Sequence, residues 1–165
     1  MGKKDYDPAM HTAEHILNQT MDRMFGCGRS FNAHIEKRKS KCDYRLPRPL
    51  TREEIAAVEK AVNDVIGENL PICERMIDRA EAEKTCFTGK LPPDAGDRIR
   101  IITIGDYDTC PCIGRHVRST SEIPGFRIIS ASHENGVLRI RFTVAETRTL
   151  RPPSRTAAAA PDRSG

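Results

Sequence analysis

Asn135-Gly136 stands between two alternating stretches, Gly125–His133 and Val137–Glu146, and no other feature constrains the fold as strongly. A two-residue Asn-Gly link favours positive φ at both positions, and the resulting turn has the twist that flanking strands need. An antiparallel hairpin is therefore predicted, and with it a sheet that is at least partly antiparallel. Arg98–Ile104 alternates arginine and isoleucine as a half-buried strand does. Gly28–Ile35, Lys41–Leu46 and Pro71–Ile77 are further predicted strands, with a short helix over Asp78–Lys84 and a proline-bearing loop over Gly89–Gly96.

Two longer helices carry clear start signals. Asp7-Pro8 is a cap followed by proline at the first helical position, and Ala13, Ile16, Leu17, Met21, Met24 and Phe25 recur at three and four residues as far as Gly26. Thr51-Arg52-Glu53-Glu54 is a capping box opening a second helix, with Ile55, Val58, Val62, Val65, Ile66 and Leu70 on one face. Strands and helices interspersed without a βαβ rhythm give an α+β domain, its helices packed on one face of a partly antiparallel sheet. The domain is expected over residues 1–149. Residues 150–165, with Pro152-Pro153, four alanines and Pro161, have too little apolar content for a core and are expected to form a mobile tail.

Composition narrows the class of partner. The chain has 165 residues, 38% hydrophobic and 30% charged, with no apolar run long enough for a membrane-spanning helix. Met1–Asp7 carries two lysines but no apolar stretch behind them, so a cytoplasmic protein is expected. The net charge of +4 is too mild for a sequence-independent DNA coater but suits a polyanion that visits and leaves. From Arg98 onward there are eleven arginines and no lysine, and guanidinium forks match phosphate geometry. Six cysteines without an export signal argue for thiols or metal ligands rather than disulfides. Cys27, Cys42, Cys73 and Cys86 have no constellation around them and are expected to be packing residues.

His11 and His15, four apart on the first helix, project from one face as two ligands to one metal must. Cys112-Ile113-Gly114-Arg115-His116 supplies a CxxxH in a loop after a strand. Together they make a His3Cys set that suits zinc. Cys110 competes with Cys112, but Pro111 stiffens the turn between them, and Cys112 is the assigned ligand. His11-Thr12-Ala13-Glu14-His15 also spells H-x-x-E-H, the pattern of a metallopeptidase class in which the glutamate is the general base. That class needs a downstream acidic ligand and leaves the CxxxH unexplained.

The same residues, read in order, resemble a known family. His11-Thr12-Ala13-Glu14-His15-Ile16-Leu17, the helix ending in Glu68-Asn69-Leu70-Pro71, Ile104-Gly105-Asp106, Cys112–Val117, Thr120-Ser121-Glu122-Ile123 and Gly136–Ile140 are similar to the editing domain of alanyl-tRNA synthetase. The likeness covers about Pro8–Val144, and threonyl-tRNA synthetase has a related domain with the same metal pattern. The chain looks like the short form of the AlaX type, free-standing proteins that deacylate mischarged tRNA in trans.

The resemblance implies zinc on His11, His15, Cys112 and His116, and hydrolysis of Ser-tRNA(Ala) or Gly-tRNA(Ala). A zinc-stabilised tRNA-binding module without catalysis is the alternative, and the metallopeptidase a third reading. Two departures stand out: Ile113 and Arg115 replace the usual small and hydroxylic loop residues, and Phe31-Asn32-Ala33-His34 occupies the position of a Gln-Lys-Gly-Ser-like run. Candidate substrate contacts are Asn32, His34 and Arg115. Glu14 is the candidate catalytic acid–base residue, although its position one residue off the ligand face predicts an exposed charge. Arg118, Arg127, Arg139, Arg141 and Arg148 are the candidate phosphate contacts.

Overall fold

The computed structural model describes residues 6–85 and 96–145. Cys86, most of the predicted Gly89–Gly96 loop, Arg148 and the predicted tail over 150–165 lie outside the described residues. Helix α1 (Pro8–Phe25) opens on Asp7, whose carboxylate accepts from Met10 N, and closes on Gly26 in the left-handed region at φ 62°. Strands β1 (Asn32–His34) and β2 (Ser40–Arg45) follow, then α2 (Arg52–Gly67), β3 (Ile72–Asp78) and α3 (Arg79–Thr85). Strands β4 (Arg98–Ile104), β5 (Asp108–Pro111), β6 (Phe126–Glu134) and β7 (Val137–Val144) complete the order. Among the described residues no helix is long and apolar enough to cross a membrane.

The fold is α+β, with two antiparallel sheets ordered β1-β2-β7-β6 and β3-β4-β5. The hairpin turns on Asn135 at φ 50° and Gly136 at φ 75°, the paired positive values that an Asn-Gly link favours. Alternation along β7 sends Leu138, Ile140 and Phe142 to the buried side, where α1 and α2 cover the sheet. Helix α2 carries the predicted capping box on Thr51 and Glu54 and buries Val58, Val62, Val65 and Ile66. Its last turn is held by Thr120, whose hydroxyl donates to Ile66 O and accepts from Leu70 N.

Helix α1 packs against α2 and touches both β5 and β7. Packing on so many sides explains why residues 10–18 are buried all round, polar ones included, where the sequence predicts a single apolar stripe. Three other expectations change. The strand predicted over Gly28–Ile35 shrinks to β1, because Arg29 turns to Asp108 and Ser30 N donates to Asn18 of α1. Asp108–Pro111, predicted as loop, pairs with β4 as a short strand. Cys73 is exposed rather than packed, on a strand whose side chains are mostly uncovered, while Cys42 is buried as predicted.

Candidate metal centre

Helix α1 supplies His11 and His15 from successive turns, and the loop after β5 supplies Cys112 and His116. One donor atom from each of the four lies within 4.8 Å of the others. Cys112 Sγ is 3.5 Å from His11 Nε2 and 3.4 Å from His116 Nε2. A tetrahedral ion with bonds of about 2.3 Å to sulfur and about 2.0–2.1 Å to nitrogen holds such donors about 3.5 Å apart. The donor set therefore fits a single four-coordinate ion without rearrangement of these pairs.

The outward-facing ring nitrogens fix the tautomers. His11 Nδ1 lies 3.1 Å from Arg115 O, and a carbonyl only accepts, so Nδ1 carries a proton and Nε2 is left as the atom that would meet a metal. Thr12 donates its hydroxyl proton to Pro8 O at 2.9 Å, so at His116 Nδ1, also 2.9 Å away, its oxygen accepts. His116 Nε2 is in turn the atom left to meet a metal. Thr12, which carries no signal of its own in the sequence, thus orients a histidine 104 residues on.

The loop is shaped to admit these rings. A Cβ on Gly114 would fall 2.2 Å from His11 Cε1, so only glycine leaves room for the imidazole. Arg100 on β4 donates to Cys112 O at 2.9 Å and to Gly114 O at 2.8 Å, which pins the loop to the sheet. Arg100 reads in the sequence merely as one member of an alternating strand.

Protonation follows from these contacts. Burial would raise the Cys112 thiol, but the hydrogen bonds from His11, His116 and His15 outweigh it and push it down to about 3. Burial opposes the charge on His15, yet its contacts with Asp108 and Cys112 raise it to about 9. Burial, with the charges of His15 and His11, lowers His116 to about 4. An imidazolium at His15 thus faces a thiolate at Cys112, and a metal entering would displace the His15 proton. Cys110 stands apart: burial pushes its thiol up to about 12, which leaves it neutral.

Glu14 corrects the expectation of an exposed charge. It is buried against the cluster, with Oε2 3.7 Å from His11 Nε2 and Oε1 accepting from Asn18 Nδ2 at 3.0 Å. The packing around α1 that buries its polar face accounts for this. Arg115 joins the site through its backbone carbonyl, its side chain being exposed. Asn32 and His34 lie on β1, where their side chains engage Asp43 and Glu36 rather than the four-residue cluster.

Of the candidate phosphate contacts, Arg118 and Arg127 are exposed. Arg139 pairs with Asp43 at 2.7 and 2.9 Å, and Arg141 lies two residues along the same face of β7. A groove of about 520 Å³ on this face is lined by Phe31, Asp43, Arg139 and Arg141. A second cleft, of about 460 Å³, is lined by Gln19, Arg29, Phe31, Arg45 and Asp108.

An α+β domain with a His3Cys cluster between its first helix and a loop is what fold and site define. Residues 99–141 match the family described as the threonyl and alanyl tRNA synthetase second additional domain. The chain is 37% identical over 143 residues to an alanine–tRNA ligase of Aeropyrum pernix, covering 82% of this chain and 16% of the relative. It is 31% identical over 146 residues to the corresponding ligase of Halorubrum lacusprofundi, covering 85% and 16%. It is 33% identical over 132 residues to that of Caldicellulosiruptor saccharolyticus, covering 79% and 15%. These likenesses support an alanyl-tRNA synthetase editing-domain-like protein, and the chain spans about one-sixth of the length of these curated relatives.

Proposed function

We propose that the protein is a zinc-dependent aminoacyl-tRNA deacylase that acts in trans on mischarged tRNA, with Ser-tRNA(Ala) as its main substrate and Gly-tRNA(Ala) as a second. The observation that carries this is the convergence of His11, His15, Cys112 and His116 inside a domain related to alanyl-tRNA synthetase. Zinc held by these residues would supply a Lewis acid beside the ester, or an anchor for the substrate amine.

The chain's own groups account for the rest. An aminoacyl ester is already activated, so one positioned water cleaves it without a covalent nucleophile. Water adds to the ester carbonyl carbon, its proton passes to Glu14 Oε2, and the ribose oxygen leaves and takes a proton in exchange. Asn18 holds the Glu14 carboxylate through the opposite oxygen and keeps Oε2 toward the cluster. A pocket that bonds the serine hydroxyl leaves polar groups unpaired around alanine, which is the direction in which discrimination is strong. Arg127 and Arg141 on the sheet, and Arg118 beside the metal loop, are the proposed phosphate contacts, with Arg115, Asn32 and His34 nearer the acceptor end. Charged tRNA as the partner puts the activity in the cytoplasm.

A non-catalytic zinc-stabilised tRNA-binding module is the second reading, favoured by a ligand set that fills a tetrahedron with protein atoms. The metallopeptidase reading has less support, since Cys112 and His116 complete the cluster where that class uses an acidic ligand. Deacylation of Ser-, Gly- and Ala-charged tRNA(Ala) by zinc-loaded protein separates these readings. Loss of serine with alanine spared supports the deacylase, and tRNA binding with every ester intact supports the module.

A further inference from the structure

His15 differs from the other two histidines in how its outer nitrogen is held. His11 and His116 each give Nδ1–H to a well-placed oxygen, but His15 Nδ1 is buried and lacks a fully aligned hydrogen bond. The polar group facing it is Asp108 Oδ2, 3.4 Å away, whose side chain is 1% exposed and so cannot draw on water. Arg29 grips the far side of that carboxylate with both arms, Nη1 to Oδ1 at 2.7 Å and Nη2 to Oδ2 at 3.2 Å. Gln19 and Arg23 of α1 each donate to Tyr107 O at 2.8 Å, which fixes the start of β5 against the helix that carries His15.

We propose that Arg29 and Asp108 form a positioning pair for the metal ligand His15, with Arg29 setting metal affinity through Asp108 although it does not belong to the cluster. A carboxylate only accepts, so it keeps a proton on His15 Nδ1 and makes Nε2 the nitrogen that is freed for a metal. The guanidinium fork keeps the carboxylate in one orientation, as it matches both oxygens at once. Histidine ligands that give their second nitrogen to a carboxylate are better oriented and more basic, and loss of such a partner weakens metal binding by about 10–100-fold. The inference rests on the reading of the four residues as a metal centre.

The test is zinc affinity by chelator competition in the full chain, with circular dichroism to check folding and the visible spectrum of the cobalt-loaded form to report ligand geometry. Asp108→Asn and Arg29→Gln are each expected to weaken zinc about 10–100-fold. The cobalt–thiolate band should persist while the ligand-field bands change, because Cys112 still binds and His15 is displaced. Arg29→Lys should recover part of the loss and serves if Asp108→Asn fails to fold. In a His15→Ala background, Arg29→Gln should cost less than about twofold more, an outcome that a general packing role would not give. Folded Arg29→Gln binding zinc within about threefold of wild type, with an unaltered cobalt spectrum, would overturn the pairing while leaving the centre intact. A wild-type chain that binds neither zinc nor cobalt would overturn the centre itself.

Discussion

Gly114→Ala tests whether the metal loop and α1 form one rigid cage. The new methyl would lie 2.2 Å from His11 Cε1 and 2.6 Å from Nδ1, where carbon atoms need about 3.5–4.0 Å. The two groups must part by more than ~1 Å, several times the ~0.2 Å within which metal–ligand lengths are held. The loop resists retreat because Arg100 holds the carbonyls of both Cys112 and Gly114. His11 therefore gives way, and its Nδ1 bond to Arg115 O goes with it. Zinc affinity should fall by at least ~100-fold, the upper end of what loss of an outer partner produces, and should approach that of His11→Ala. Overpacking should destabilise the metal-free protein by about 1–3 kcal/mol. Chelator competition measures the first effect and urea unfolding the second. A folded Gly114→Ala protein that binds zinc within about threefold of wild type would refute the cage.

Other predictions separate metal binding, catalysis, stability and partner recognition. Glu14→Gln should keep zinc, since Glu14 is not among the four ligands, yet lower the deacylation rate by about 10²–10⁴-fold; an unchanged rate would remove it as general base. Glu54 accepts from Arg48 and the Thr51 backbone, which hold its carboxyl down to about 2 from an ordinary 4.5. A lowered folded value contributes stability that is fully present above about pH 4.5 and is lost as pH falls toward 2. The melting temperatures of wild type and Glu54→Gln should therefore converge over that range, and a constant gap would contradict the assignment. Arg127→Glu with Arg141→Glu should flatten the salt dependence of tRNA binding by roughly 0.9 log units for each phosphate that is no longer neutralised, and an unaltered slope would clear both residues of that role.

The sequence carried the locally coded parts of this fold. Helix α2 falls within two or three residues of the span predicted from its capping box and apolar stripe, and β4 matches its prediction, because both are written in short-range periodicity. The Asn135-Gly136 hairpin was legible for the same reason. The four cluster residues were legible as two short-range pairs, HxxxH and CxxxH, and the fold supplied the convergence.

What could not be read depends on pairings distant in sequence. Arg29 and Asp108 meet across 79 positions, so Arg29 reads as one charge on a predicted strand and Asp108 as one in a polar loop. The burial of Glu14 escapes the sequence because helical phase predicts burial only when one face of a helix is covered, and α1 is covered on several. Division into two sheets was equally hidden, since alternation states that a strand has a buried face and not which neighbours it pairs with.

Ester hydrolysis is proposed to depend on one metal ion held by these four residues. Zinc titrated into chelator-treated protein, with serine release from Ser-tRNA(Ala) followed at each point, tests it most directly. The initial rate should rise linearly and break at one equivalent, with Cys112→Ala inactive throughout and Ala-tRNA(Ala) spared. Full activity before any zinc is added, or zinc bound at one equivalent with no serine released, would contradict it.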